Sequence, residues 1–228
     1  MEKLLIKASM RSADVGHLAD QIQRLERGGI DALHFDVMDG RFVPEISLGP
    51  LFIKGLRSCT TLPFEVHLLV AEPDVCVNQY LEAGADCILL HVEASRDPLT
   101  ALRRIHSQGR QGGLATVPGT AAETLQPYLA TCDLINVMTV MPGVPGVLHD
   151  AGIQTLSQVA AMVAQHDKRV LVQADGAVSS ATREQFLCAG ARAMVAGYPI
   201  FSRKDFGEAI TELRCGAGHC VADGMIAR

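Results

Sequence analysis

Residues 17–40 read HLADQIQRLERGGIDALHFDVMDG, and the two halves of this stretch obey different periods. Over His17–Arg27, Leu18, Ile22 and Leu25 recur at helical spacing and share one face. Gly28-Gly29 stops that run where the chain turns back, because glycine enters the left-handed conformation that closes a helix. Ala32–Met38 then runs short and apolar on both parities, as a parallel strand covered on both faces does.

The same unit repeats along the chain. Further strand-like runs are Leu4–Ser9, Pro63–Val70, Cys87–Val92, Gly113–Val117, Leu134–Val140, Val170–Ala174 and Ala193–Gly197. Helical patterns lie between them, among them Pro73–Ala83, Thr120–Ala130, Ile153–Gln165 and Thr182–Ala189, with glycine stops at Gly84, Gly109 and Gly190. Strands and helices that alternate to the end define an α/β protein, a closed (β/α)₈ or TIM barrel. An open doubly wound sheet would carry a glycine-rich fingerprint after its first strand, and Lys7-Ala8-Ser9-Met10 is none. With no linker or low-complexity stretch, residues 1–228 are expected to form one domain, loosely ordered after about residue 214.

Composition excludes several classes. The chain has 228 residues, 48% hydrophobic and 20% charged, with net charge −5. That apolar content rules out intrinsic disorder. A nucleic-acid partner would need a clustered basic face and stacking aromatics, yet the balance is acidic and there is no Trp. No apolar run approaches the roughly 20 residues that span a bilayer, and Glu2, Lys3 and Lys7 interrupt any secretory leader. Seven cysteines without CxxC spacing read as reduced thiols of a cytoplasmic protein. Cys215, His219 and Cys220 have metal-ligand chemistry but lie in a glycine-broken terminus.

In such a barrel the C-terminal ends of the strands face the active site. There the sequence offers His34 and Asp36, two apart and so on one face, with His67 on the next strand and Asp175 across the barrel. Two imidazoles and two carboxylates suit a divalent transition metal. The plain alternative is a set of hydrogen-bonded polar groups at a barrel rim. His91 and Glu93 also share a face, as orienters of those groups or as rim residues. Met38 and Met138 fill core by default, and Ser9 either caps a turn or touches substrate.

His34-Phe35-Asp36-Val37-Met38-Asp39-Gly40-Arg41-Phe42-Val43-Pro44 closely resembles the hallmark of ribulose-phosphate 3-epimerases. Ser9-Met10-Arg11-Ser12-Ala13-Asp14, Glu65-Val66-His67-Leu68, His91-Val92-Glu93, Met138-Thr139-Val140, Asp175-Gly176 and Ala196-Gly197 continue the likeness in family order. The resemblance implies one divalent ion (Zn, Fe, Mn or Co) held by His34, Asp36, His67 and Asp175. It also implies Asp36 and Asp175 as the acid and base that epimerise C3 of a ketose phosphate through an enediolate. It assigns substrate contacts to Ser9, Met38, His67, Met138, Gly143, Gly146, Gly176, Gly197 and Tyr198, and implies a homo-oligomer acting on a small carbohydrate.

The departures fall at the phosphate end of that pattern. Pro145 replaces a loop glycine, Ala177 follows Gly176 where a second glycine is usual, and Tyr198 replaces a small serine. Leu69 and Val117 also stand where Met and Asn are common. They raise two alternatives, a non-phosphorylated ketose or sugar acid as substrate, with Tyr198 filling the phosphate space, and a non-catalytic sugar-phosphate-binding regulator. An aldolase or decarboxylase would need a strand-end lysine, whereas Lys7, Lys54, Lys168 and Lys204 read as terminal, helical or loop residues.

Overall fold

The computed structural model describes residues 3–144, 146–166 and 169–216. Eight strands, all parallel, pair in sequence order and close on themselves. They are β1 (Leu5–Ser9), β2 (Ala32–Met38), β3 (Phe64–Leu69), β4 (Cys87–His91), β5 (Gln111–Thr116), β6 (Leu134–Met138), β7 (Leu171–Asp175) and β8 (Ala193–Ala196). The apolar runs on both parities are explained. One parity (Ile6, Leu33, Phe35, Val66, Leu68) packs against the helices, and the other fills the barrel.

The helices form the outer layer: α1 (Leu18–Arg27), α2 (Pro50–Leu56), α3 (Pro73–Glu82), α4 (Pro98–Ser107), α5 (Asp150–Ala164), α6 (Arg183–Cys188), α7 (Tyr198–Phe201) and α8 (Phe206–Cys215). Leu18, Ile22 and Leu25 are the buried face of α1, as their spacing predicts. Proline opens α2, α3 and α4, where its missing N–H costs nothing. The helix expected over Thr120–Ala130 is instead a 3₁₀ segment, Ala122–Tyr128. Pro127 lies inside it, and a proline there lacks the N–H and crowds the carbonyl that an α-helical turn would use.

Three aspartates fasten the N-terminal end of the barrel. Asp31, Asp86 and Asp133 stand just before β2, β4 and β6, and each accepts the backbone N–H of a residue on the preceding strand (Ile6, Phe64 and Gly112) at 2.8, 2.9 and 3.0 Å. At the other end of the chain α8 continues to Cys215. His219, Cys220, Pro145 and Lys168 lie outside the described residues.

Candidate active site and metal centre

Register brings the site together. β2 pairs Asp36 beside His67 of β3 and β6 pairs Met138 beside Asp175 of β7, so residues far apart in sequence share a level of the barrel. His34 Nε2 lies 3.2 Å from Asp36 Oδ1, 3.3 Å from His67 Nδ1 and 3.6 Å from Asp175 Oδ2. His67 Nδ1 is 3.2 Å from Asp36 Oδ1 and 3.5 Å from Asp175 Oδ2. All four residues are buried, with their donor atoms within 4.8 Å of one another.

This donor set fits a divalent ion. Ligand atoms about 2.0–2.1 Å from zinc in a tetrahedral array lie roughly 3.4 Å from one another, close to the 3.2–3.6 Å of the five separations given above. The electrostatics agree. Burial works against a charge on His34, yet Asp36, Glu65 and Asp175 draw its pKa well above the ordinary value, so positive charge is favoured at this point.

The two carboxyls respond oppositely to one environment. Burial alone would raise Asp36, but His34 and His67 hold it well below the usual carboxylate range. Asp175 is pushed up by burial and by the charge of Asp36, against the pull of His34, His67 and an Asn136 amide donated at 2.9 Å. Ser9 donates its hydroxyl to Asp36 at 2.8 Å.

Beneath this cluster lies a polar layer that motif reading alone does not assign. His34 Nδ1 meets Glu65 Oε1 at 2.8 Å, Lys7 ion-pairs with the other Glu65 oxygen, and Gln173 donates to Glu65 and to Asn136 at 2.8 Å each. Burial penalises the Glu65 charge, but Lys7 and His34 keep it ionised. Lys7 is therefore an interior residue of β1, not a terminal or loop lysine. The signal was present in the sequence. Lys7, Glu65, Asn136 and Gln173 each stand two residues before a site residue on the same strand, so they share its inward face one level deeper.

Above the cluster opens a cavity of about 410 Å³. Asp36 and Asp175 form its floor, Met38 and Met138 its wall, and Ser9, Gly143, Gly146, Gly176, Gly197 and Tyr198 also border it. His34 and His67 are fully buried behind the carboxylates and do not line it. Leu69 and Val140 pack against the two methionines. Tyr198 borders the cavity while remaining 78% exposed. Ala177 adopts φ 49°, so it holds the left-handed turn a glycine would take there.

The family model of the ribulose-phosphate 3 epimerase family matches residues 5–201. The ribulose-phosphate 3-epimerase of Bacillus subtilis is 35% identical over 212 residues, covering 92% of this chain and 97% of that protein. The chloroplastic ribulose-5-phosphate-3-epimerase of Arabidopsis thaliana is 35% identical over 214 residues, 92% of this chain and 76% of that protein. The crystal structure of a 3-hexulose-6-phosphate synthase shares the fold, with TM-score 0.67 at 15% identity over 94% of this chain and 99% of that one. The family match and these relatives, together with the barrel and its buried cluster, place the chain among carbohydrate epimerases of the isomerase class. The chain belongs to the ribulose-phosphate 3-epimerase family.

Proposed function

We propose that the protein is a metal-dependent 3-epimerase of a ketose phosphate of the ribulose 5-phosphate kind. The observation that carries this reading is the pair Asp36 and Asp175, set on β2 and β7 at one cavity floor with protonation tendencies driven apart. Epimerisation beside a carbonyl removes a weakly acidic C–H proton and returns one to the opposite face, which takes one carboxyl on each side of the carbon. Asp36, ionised, takes the C3 proton, and Asp175, protonated, delivers one to the other face of the enediolate. The roles exchange for the reverse reaction. Ser9 orients Asp36, and Asn136 orients Asp175. His34, Asp36, His67 and Asp175 would hold the ion (Zn, Fe, Mn or Co), which when bound polarises the ketone oxygen as a Lewis acid. Met38 and Met138 keep water from the reacting carbon.

The loops after β7 and β8 support a phosphorylated substrate. Gly176, Ala177, Gly197 and Tyr198 border the cavity, and their backbone amides, for which no protein acceptor is found among the described residues, would converge on a bound phosphate. Such converging amides cradle an anion, and Ala177 retains the required backbone turn. Steady-state kinetics test the reading: kcat/KM for ribulose 5-phosphate is expected to exceed that for free ribulose by several powers of ten, and equal values would overturn the phosphate assignment.

A homo-oligomer is also proposed. Val15, Ile46, Leu51, Phe52 and Val75 are exposed, and Ile46 borders both a groove shared with Val75 and one shared with Val15. Arg11 and Glu45 ion-pair at 2.5 Å along the second of these grooves, and an apolar patch bounded by such a pair suits a face that meets its own copy about a two-fold axis. Sedimentation should give a multiple of the 24.4 kDa chain mass, reduced in Ile46→Asp. A monomeric wild type contradicts it.

A further inference from the structure

We propose that Glu93 and His91 form a positioning relay that decides which nitrogen of His67 faces the centre of the site. One Glu93 oxygen accepts the Val117 N–H at 2.9 Å and the Thr120 hydroxyl, and the other lies 3.1 Å from His91 Nδ1. A carboxylate so engaged only accepts, so the proton of His91 resides on Nδ1. Its Nε2 is then a bare lone pair, 2.9 Å from His67 Nε2. Two lone pairs do not face each other at that distance, so His67 donates from Nε2. With a cation at the centre, its bare Nδ1 would then face that ion beside Asp36 and His34, which lie at 3.2 and 3.3 Å.

Ring geometry agrees. The two imidazole centroids are 5.0 Å apart with planes within 21°, so the nitrogens meet edge to edge along an N–H···N bond. Phe42 packs on His91 with ring centroids 4.8 Å apart. Neither Glu93 nor His91 borders the cavity, so both act through His67. With the relay cut, the His67 ring is free to place its proton on Nδ1, where it would oppose a cation. Orienting partners of this kind typically alter metal affinity by about 10–100-fold. Thr120 in turn accepts a bond from Thr155 of α5 through its carbonyl, which ties the relay to the outer layer.

The inference rests on reading the cluster as a metal centre, and two measurements separate the two claims. Nitrogen-15 NMR of the histidine rings reads the tautomers directly. His91 is expected as the Nδ1–H form with Nε2 bare, and an Nε2–H form of His91 overturns the relay whatever the metal does. Zn²⁺ affinity, measured by competition with a chromophoric chelator, is expected to fall about 10–100-fold in Glu93→Met. It should fall in Glu93→Gln as well, because the single carbonyl oxygen of Gln is claimed by the Val117 N–H and the Thr120 hydroxyl and its NH2 then faces His91 Nδ1. Unchanged affinity in a folded Glu93→Met overturns the relay. Failure of the wild-type protein to bind Zn²⁺ overturns the metal-centre reading instead. A merely structural Glu93 would lower the thermal midpoint of the metal-free protein in Glu93→Met and leave the His91 tautomer unchanged.

Discussion

Asp36 and Asp175 reach the same nitrogen of His34, at 3.2 and 3.6 Å, from strands β2 and β7, yet one carboxyl is held ionised while burial and its neighbour push the other toward its neutral form. The asymmetry has a structural origin. Asp36 lies beside both imidazoles and receives the Ser9 hydroxyl, whereas Asp175 lies beside a carboxylate that is already charged. A pair that shares one environment titrates as a unit.

The polar layer beneath the site sets a stability prediction. Lys7→Met leaves Glu65 charged, buried and without its cation, and should destabilise the barrel by about 3–5 kcal/mol. Lys7→Met combined with Glu65→Gln should recover much of that loss, because Gln still accepts from His34 and Gln173 and carries no charge. Denaturant unfolding of the three proteins checks it. Equal stability of the single and double variants would show that the ion pair is not what holds this layer.

The anion cradle separates backbone from side chain. A Cβ on Gly197 would stand 2.2 Å from the Ser12 hydroxyl oxygen. Gly197→Ala should therefore displace the amides and raise KM for ribulose 5-phosphate about ten- to a hundredfold, the value of a hydrogen bond to a charged group. Tyr198 is largely exposed and is proposed to meet the phosphate through its N–H alone, so Tyr198→Ser should leave KM nearly unchanged and stability within about 0.5 kcal/mol. A large KM change in Tyr198→Ser would place the ring in substrate recognition.

Ala177 carries a backbone cost that glycine would not. At φ 49° a residue with a Cβ is disfavoured by roughly 1–2 kcal/mol. Ala177→Gly gives up part of that gain to the freer unfolded chain. The expected outcome is a neutral to slightly stabilised protein, read from thermal unfolding, and a loss above about 1 kcal/mol contradicts the strain.

The foot of the barrel gives a pH dependence. Burial opposes the charge of Asp31, but Lys3, the Ile6 N–H and Arg214 together hold its pKa below the ordinary value. A depressed carboxyl contributes stability that is fully present above its unfolded pKa of about 3.9 and is lost as pH falls through the lower folded value. Asp31→Asn should therefore cost about 1.5–3 kcal/mol at neutral pH, with the difference from wild type shrinking below about pH 4. A difference that stays constant down to about pH 2 would show that the charge does not matter.

Much of this was legible in the chain. His34-Phe35-Asp36 fixes two inward groups by strand parity alone, and the glycine stops mark the turns between layers. Period and parity carry that information because they are local. Which histidine nitrogen faces inward is not local: it depends on Glu65 and Glu93, neighbours whose placement comes from the register of β2 on β3 and of the chain beyond β4 on the segment after β5. Lys7 misread as a terminal residue shows the same limit, since only barrel closure between β1 and β8 makes its strand interior. Tyr198 and Ala177 were legible as departures, but their consequences lay in backbone angles and exposure that composition does not carry. Pro127 could have been read correctly, because a proline at that point of a helical pattern already argues against an α-helix.

The central claim is proton transfer at C3 between Asp36 and Asp175. The most direct measurement is NMR of ribulose 5-phosphate incubated with the Zn²⁺-loaded protein in D₂O. Deuterium is expected to appear at C3 together with the epimeric ketose phosphate. In Asp175→Asn, epimer formation should fall by about 10²–10⁴-fold while the substrate still binds. Binding of ribulose 5-phosphate with no deuterium at C3, or epimer formation that survives Asp175→Asn undiminished, would contradict the account.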